Sequence, residues 1–182
     1  MYAAIDILGK DEIERNLKSG SFMSKFLKAR DFDISDLDGF LKMTLDNYDP
    51  VSACGFSQRM GMVFFHYLRR TSANDRLHIE ADFKLKSFNE QVEVYFSRFF
   101  QFLQKEMKFQ AGIFRLQKSW NIELKFFPKD AGHSLAAFFF KGVLQELFEW
   151  LDCHYRYQID FVEKDQDNFH QIRYTVEKLQ LE

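Results

Sequence analysis

Histidines most readily bind metals or transfer protons near neutral pH, and this 182-residue chain has five of them. His66 lies on a predicted helix without a second ligand at a useful spacing, so a packed or surface position is favoured over a haem or metal ligand. His133 stands at a predicted helix start, where capping is favoured over anion binding. The other three are predicted to be solvent-exposed: His78, His154 and His170. The histidines therefore predict no metal site.

Paired carboxylates could supply acid–base catalysis, but the spacing of these pairs predicts another role. Asp31 with Asp33, and Asp36 with Asp38, have no neighbouring catalytic partner, so helix capping and solubility are favoured. The motifs GxGxxG, HExxH, GxSxG and Walker A are absent from the sequence. No catalytic residue is predicted, and an enzymatic function is not favoured.

Charge, apolar runs and thiols bear on partners and location. Lys and Arg total 25 against 27 Asp and Glu, a net charge of −2, so nucleic acid is an unlikely partner. No apolar run approaches the ~20 residues that span a bilayer, and the N-terminus lacks a signal-peptide pattern. Cys54 and Cys153 are far apart and form no zinc or disulfide pattern. We therefore expect a cytoplasmic protein without a transmembrane segment.

The elements that must position these residues follow from hydrophobic periodicity. Residues 1–75 carry loosely patterned apolar positions typical of helices, with a stop at Asp49-Pro50. Apolar residues at three- and four-residue steps predict helices over 88–107 and 131–151. Alternating segments predict five strands: Leu77–Leu85, Ile113–Gln117, Trp120–Phe127, Tyr155–Phe161 and Phe169–Leu179.

Strands grouped in pairs around helices favour hairpins within an antiparallel sheet. We therefore predict an α+β fold: an antiparallel sheet with a C-terminal strand–strand–helix–strand–strand unit and N-terminal helices packed alongside. No repeat or domain-sized linker interrupts the sequence. This predicts one domain over residues 1–182, with a mostly helical part at 1–75 and a sheet-containing core at 76–182.

Phenylalanine is unusually frequent, at 23 of 182 residues. Each buried aromatic ring removes roughly 150–250 Å² from water, so these rings predict a thick core, an aromatic-lined pocket or an apolar contact surface. Core packing is favoured over a dedicated pocket. If a cavity exists, we expect six residues near it: Phe64, Tyr67, Phe96, Phe100, Phe139 and Trp150.

The order of elements from Phe88 to Leu179, with Gly142 inside the apolar segment Phe138–Leu144, resembles the 4-vinyl-reductase-type small-molecule-binding domain. It is also similar to TRAPP vesicle-tethering subunits and to the haem-nitric-oxide-binding fold. A group of uncharacterised bacterial proteins of about this length, best known from myxobacteria, shares the pattern. Such domains act as ligand-sensing or assembly modules, so the resemblance implies a function of that kind.

The haem-binding members of that superfamily use a proximal His with a Pro four residues on, and a Tyr-x-Ser-x-Arg motif. Here the segment Tyr95-Phe96-Ser97-Arg98 places its Arg one position early, and no His is followed by Pro at that spacing. Haem is therefore not supported by the motif, and the cofactor is unknown at this point.

Two functions follow as hypotheses. The first is a non-enzymatic small-molecule-binding or regulatory module, a sensor in signal transduction, whose aromatic-lined cavity takes an apolar molecule or a lipid. The alternative is a dimeric adaptor or assembly protein, joined to a second copy or a protein partner through apolar helix faces. Its motivation is that Phe138, Phe139 and Phe140 are consecutive and cannot all point one way.

Gly142 is predicted to be a close-packing position. Inside a helix, Gly costs about 1 kcal/mol relative to Ala, so its place in a strong amphipathic segment indicates that another element approaches the backbone there. A tolerated, exposed glycine is the alternative, because Lys141 and Gln145 flank a polar side of the same turn.

Overall fold

The computed structural model describes residues 2–9, 34–70, 83, 85–106, 109–116, 119–126, 134–165 and 169–179. The helices are α1 (Tyr2–Leu8), α2 (Ile34–Leu45), α3 (Pro50–Arg70), α4 (Phe88–Glu106) and α5 (Ser134–Leu151). The strands are β1 (Phe109–Leu116), β2 (Ser119–Phe126), β3 (Arg156–Asp165) and β4 (His170–Leu179). The helices predicted within residues 10–33 lie outside the described residues, and the domain limits stay a prediction.

The four described strands form one antiparallel sheet in the order β1-β2-β4-β3. Two hairpins, β1–β2 and β3–β4, are joined where Trp120 of β2 lies opposite Val176 of β4. Helix α5 connects the hairpins in the chain and packs on the sheet. The predicted α+β class and its strand–strand–helix–strand–strand unit are confirmed.

Alternation places the core on one face of this sheet. In β2 every second residue is buried, and in β4 the alternate residues Ile172, Tyr174 and Val176 are buried. The buried apolar side chains of these two strands are Trp120, Ile122, Leu124, Phe126, Ile172, Tyr174 and Val176. The two central strands therefore supply the sheet half of the hydrophobic core.

Helix α5 lies between α3 and the sheet, which explains its consecutive phenylalanines. Each packs against a ring on a different element: Phe138 on Phe161 of β3 (centroids 5.0 Å apart), Phe139 on Phe64 of α3 (5.4 Å) and Phe140 on Phe126 of β2 (6.0 Å). The apolar faces of α5 that suggested a partner protein thus have partners within the chain.

Helices α3 and α5 touch through their backbones at two glycines. A methyl group at Gly142 would overlap the carbonyl oxygen of Gln58 and lie 3.0 Å from the amide nitrogen of Met62. A methyl group at Gly61 would overlap the carbonyl oxygen of Phe139 in the same way. Because neither position has room for a Cβ, the two helices come closer than side chains would allow.

The same two helices are joined by polar contacts on both sides of the glycine crossing. The Ser57 hydroxyl donates to the carbonyl oxygen of Leu135 at 2.6 Å. Nine residues further along α3, His66 Nε2 lies 2.9 Å from Glu146 Oε2. From Ser57 to His66 along α3, the contacted residue of α5 changes from Leu135 to Glu146. The residue numbers rise together, so α3 and α5 run parallel.

The strand predicted at Leu77–Leu85 is wrong at the two residues of it that the structure describes. Residues 77–82 and 84 lie outside the described part of the chain. At Phe83 the chain turns, since the N–H of Lys86 donates to the carbonyl oxygen of Phe83 at 3.2 Å. Phe83 is buried whereas Leu85 is 87% exposed, so they do not share a sheet face. The alternating apolar residues predicted the hydrogen bonds of a β-sheet here, but the structure has a local i to i+3 hydrogen bond instead.

The first hairpin begins earlier than predicted. The strand was predicted to begin at Ile113, but β1 starts at Phe109, and Gly112 lies within it, opposite Glu123. Pairing with β2 supplies the backbone hydrogen bonds of β1, and this tertiary gain overrides the low strand propensity of glycine.

Three tyrosines in the core lose their access to water. Tyr174 is fully buried and donates to the carbonyl oxygen of Ala137 at 2.8 Å. Burial raises the pKa of Tyr174, of Tyr95 and of Tyr157, and in Tyr157 the charge of Asp152 adds to the effect. All three phenols therefore keep their protons in the folded protein at alkaline pH.

Gly142→Ala is expected to destabilise the protein by at least ~2 kcal/mol, because the new methyl group overlaps the α3 backbone, which cannot move aside like a flexible side chain. Gly55→Ala is the matched control, since Gly55 lies in α3 with no atom within 4 Å of an added Cβ. It should gain about 0.4–1 kcal/mol. Urea unfolding measures both, and a stabilised Gly142→Ala variant would contradict the backbone contact.

Stability should fall as the pH rises above ~10, the ordinary tyrosine pKa. The unfolded chain loses phenolic protons there that the folded chain retains, so each buried tyrosine removes up to about 1.4 kcal/mol of unfolding free energy per pH unit. Melting temperatures between pH 8 and 11.5 test this. Tyr95→Phe should flatten the decline relative to the wild-type protein, and an unchanged slope would show that Tyr95 titrates normally.

Candidate functional site

A pocket lies where the first turn of α4 meets the ends of all four described strands. Its volume of about 320 Å³ is at the lower end of the ~300–1,000 Å³ typical of small-molecule sites. We call it the α4 pocket, and its lining residues are Phe88, Asn89, Arg115, Ser119, Trp120, Tyr157 and Lys178. Five elements therefore contribute to one concave surface.

A capping box fixes the first turn of α4 and with it one wall of the pocket. The N–H of Ser87 donates to Glu90 Oε2 at 2.9 Å, and the N–H of Glu90 donates to Ser87 Oγ at 3.4 Å. Hydrogen bonds from Ser87 lower the pKa of the Glu90 carboxyl, which stays ionised at the positive end of the helix. The side chains of Phe88 and Asn89 are thereby held over the strand ends.

Arg115 is the principal cation of the pocket. The β1–β2 register places it opposite Trp120, and its guanidinium carbon lies 5.6 Å from the centroid of that ring. With its amide oxygen turned toward Arg115, Asn89 accepts hydrogen bonds from Nη1 and Nη2 at 3.1 Å. No carboxylate in the described part of the chain pairs with this guanidinium. Its charge is therefore available to a ligand.

The second cation, Lys178, is already partly neutralised. Its Nζ lies 3.1 Å from Asp152 Oδ2 and 3.2 Å from the ring centroid of Tyr155. The hydroxyl of Tyr157 donates to the same Asp152 oxygen at 3.4 Å. Asp152 therefore offsets the charge of Lys178, and among the described lining residues Arg115 supplies the remaining positive charge.

A series of ring contacts links the pocket to the core. The ring of Tyr157 lies 5.2 Å from that of Phe148 on α5, and Phe148 lies 5.5 Å from Phe96 on α4. Phe96 in turn lies 5.1 Å from Phe100. A displacement of the Tyr157 side chain would therefore be transmitted through packed rings to the interface between α4 and α5.

A second group of rings joins α3, α4 and α5. Trp150 stands at its centre, with its ring 5.1 Å from that of Tyr95 and 6.2 Å from that of Phe65. The guanidinium carbon of Arg69 lies 4.7 Å from the Trp150 centroid on the outer side. We call this group the helix cluster, and its members are Phe65, Phe83, Tyr95, Phe99 and Trp150.

The six residues predicted near a cavity do not surround either of the two described pockets. Phe96 and Phe100 form one contact, Phe64 and Phe139 a second, and Trp150 belongs to the helix cluster. The Tyr67 hydroxyl donates to Asp6 Oδ2 of α1 at 2.6 Å. Their role as ligand contacts stays a prediction.

Sequence reasoning missed the residues that line the α4 pocket. Arg115 and Trp120 are five positions apart in the chain, and only the hairpin register makes them neighbours. Lys178 and Asn89 lie in different elements, far apart in the chain. The one usable signal was Ser87, whose spacing to Glu90 is that of a capping box and marks the start of α4.

One histidine prediction is wrong. His170 was expected to be solvent-exposed, but it is 5% exposed, and its Nδ1 lies 2.6 Å from Asp165 Oδ1. Glu163 Oε2 lies 3.7 Å from the other ring nitrogen. The β3–β4 hairpin brings these carboxylates around the ring, which allows its burial. His154 is exposed, as predicted.

The remaining candidates add no catalytic constellation among the described residues. Cys54 is partly buried, and burial, followed by the charge of Glu163, raises the pKa of its thiol, so it is not an activated nucleophile. The described part of the chain holds no group of three side chains placed to bind a metal ion, and no helix there could span a membrane. The side chains of His78, His133 and the two aspartate pairs lie outside the described residues.

The described residues do not fit a haem group. Of their histidines, His66 pairs with Glu146 at the surface, His154 is exposed, and His170 is held by carboxylates. The ring of His66 lies edge-on to that of Phe65 in the helix cluster, with 6.5 Å between centroids, but its Nε2 is paired with Glu146, and the sequence of α4 contains no histidine. An axial ligand is therefore missing from this part of the chain.

No family model and no curated protein matches the sequence. Solved structures do match, and H-NOX domains are among them. An unliganded Fe(II) H-NOX protein from K. algicida has a TM-score of 0.63 and 12% identity, over 97% of this chain and 91% of that one. A mutant T. tengcongensis H-NOX has a TM-score of 0.60 and 9% identity, over 98% and 93%.

A third structure, an oxygen complex of an oxygen-binding H-NOX domain related to soluble guanylate cyclases, has a TM-score of 0.51 and 10% identity, over 98% of this chain and 90% of that one. At these identities the likeness concerns the fold alone. This chain has the haem-nitric-oxide-binding-like fold.

Proposed function

We propose that this protein is a non-enzymatic, sensor-like module that binds a small molecule in the α4 pocket. The observation that carries the proposal is the Arg115 guanidinium, which no carboxylate among the described residues pairs with and which Asn89 and Trp120 hold at a 320 Å³ concavity. Arg115 is solvent-exposed there, and a few polar groups that converge on a concave surface with aromatic walls are typical of small-molecule sites. The H-NOX-like fold supports a sensor in signal transduction as the context.

The geometry offers a mechanism for sensing. A ligand in the α4 pocket would contact Asn89 of α4 and side chains from all four strands, so its binding energy would favour one position of α4 relative to the sheet. Helix α4 also carries Phe96 and Tyr95 into the ring contacts with α5 and α3. A small shift of α4 would therefore be passed to the helices through packed rings.

That Phe64, Tyr67, Phe96, Phe100, Phe139 and Trp150 contact an apolar molecule or a lipid also stays a proposal. The likeness of the sequence to 4-vinyl-reductase, TRAPP and myxobacterial proteins stays a prediction. One domain over residues 1–182 and a cytoplasmic location are likewise proposals, the latter supported by the free thiols of Cys54 and Cys153.

A thermal-shift screen with aromatic metabolites, tetrapyrroles and lipids tests the pocket. A bound compound at 100 times its dissociation constant should add about 2.7 kcal/mol to the unfolding free energy. Asn89→Trp, which fills the pocket from α4, should abolish the shift. Glu93→Trp is the matched control, one turn further along the same helix at an exposed position, and should preserve it. Equal shifts in both variants would place the ligand elsewhere.

An adaptor function is the second candidate, and edge strand β1 favours it. In the described sheet β1 pairs only with β2, and its outward side chains Phe114 and Leu116 are 56% and 58% exposed. Backbone groups on the open side of β1 could pair with β1 of a second copy, with these side chains covering each other. Such a dimer would use a strand edge in place of the helix faces first expected.

Light scattering at micromolar concentration tests the dimer. If β1 pairs with its copy, the wild-type protein should have twice the monomer mass, and a double Phe114→Lys and Leu116→Lys variant should be monomeric because the charges repel across the edge. Val162→Lys is the matched control, 70% exposed on the other edge strand, β3. A monomeric wild-type protein would remove the adaptor function.

A further inference from the structure

We infer that the ligand of the α4 pocket is an aromatic carboxylate, a planar organic monoanion, with its carboxylate on Arg115 and its ring against Phe88. The inference rests on the proposed function, because it names the ligand class of the same pocket. It follows from the charge, the wall chemistry and the size of that pocket.

The charge around the pocket selects a monoanion. Arg115 contributes one positive charge with no carboxylate partner in the described residues, and Lys178 contributes a second that Asp152 offsets at 3.1 Å. One net positive charge matches a carboxylate and leaves a dianionic phosphate half compensated. Asn89 occupies one N–H of each terminal guanidinium nitrogen, and the remaining N–H donors form the planar fork that carboxylates accept from.

The apolar wall selects a flat ring. The half-buried ring of Phe88 is an aromatic surface that faces the pocket, whereas Trp120 and Tyr157, at 6% and 4% exposed, are packed into the wall and hold it rigid. The ring of Phe88 stacks on Tyr157 at a centroid distance of 6.1 Å and an interplanar angle of 23°. Offset stacking on such a surface favours an aromatic body over a branched aliphatic one.

The volume sets the size. A pocket of about 320 Å³ holds roughly ten waters at ~30 Å³ each, which is room for one ring, a short linker and a carboxylate. A tetrapyrrole would be several times too large. Phenylacetate has one ring, a short linker and a carboxylate. Phenylacetamide has nearly the same shape without the charge and is therefore the neutral control.

The experiment uses the full chain labelled with ¹⁵N and follows the two indole N–H signals by NMR. There are two tryptophans, so Trp150→Phe assigns the spectrum, and Trp150 in the helix cluster reports any effect away from the pocket. Phenylacetate should move the Trp120 signal and leave that of Trp150 unchanged. Phenylacetamide, acetate and phenyl phosphate should each bind at least roughly tenfold more weakly than phenylacetate.

Arg115→Gln should raise the Kd for phenylacetate roughly tenfold or more and leave the weak binding of phenylacetamide unchanged. Arg59→Gln, at an exposed position of α3, is the matched control and should change neither. Arg115→Lys keeps the charge but loses the planar fork, so it should fall between the wild-type protein and Arg115→Gln. It also provides a folded variant if the glutamine disturbs the hairpin.

Several results would overturn the inference. Phenylacetamide binding as tightly as phenylacetate would show that the pocket takes neutral rings, and the proposed small-molecule function would survive. Equal losses in Arg115→Gln and Arg59→Gln would reveal non-specific attraction, and tighter binding of phenyl phosphate would select a dianion. An unmoved Trp120 signal would reject the aromatic carboxylate, while the Asn89→Trp screen decides separately whether any small molecule uses the pocket.

Discussion

The backbone contact between α3 and α5 at Gly61 and Gly142 is the constraint on which the rest of this structure depends. Because neither glycine has a side chain, the peptide groups of Gln58 and Phe139 can occupy the space that Cβ atoms would need. The helices therefore approach closely and align in parallel, with Ser57 hydrogen-bonded across the interface. Close approach maximises dispersion contacts along both helices, and these are individually small and collectively large.

The position of α5 follows from that contact, and the positions of α4 and of the pocket follow from α5. Held against α3 on one side, α5 presents Phe140 and Phe148 to the sheet and to α4, and Trp150 to the helix cluster. The first turn of α4 is fixed independently by its capping box, so it covers the strand ends without filling them. The α4 pocket is the space that remains, lined by a stacked arginine and by buried rings.

The relation to H-NOX domains illustrates how a fold and a site can separate. The chain shares the architecture at TM-scores of 0.60 and 0.63, yet the one described histidine beside the helix cluster, His66, is paired with Glu146. In that cluster Tyr95 and Trp150 are in direct ring contact. The scaffold therefore accommodates a packed aromatic centre, and the polar groups suited to recognition are gathered at another place, under α4.

The sequence by itself determined the local elements, because hydrophobic periodicity depends on residues within a few positions of each other. It predicted the α+β class, α4, α5 and the second hairpin, and it singled out Gly142 by its propensity cost. Only the tertiary structure decided which groups meet. The burial of His170 and the pairing of Arg115 with Trp120 depend on strand register, and the approach of α3 to α5 at Gly61 and Gly142 depends on helix packing across a long sequence separation. No local pattern encodes such contacts, because they arise only when distant elements pack together.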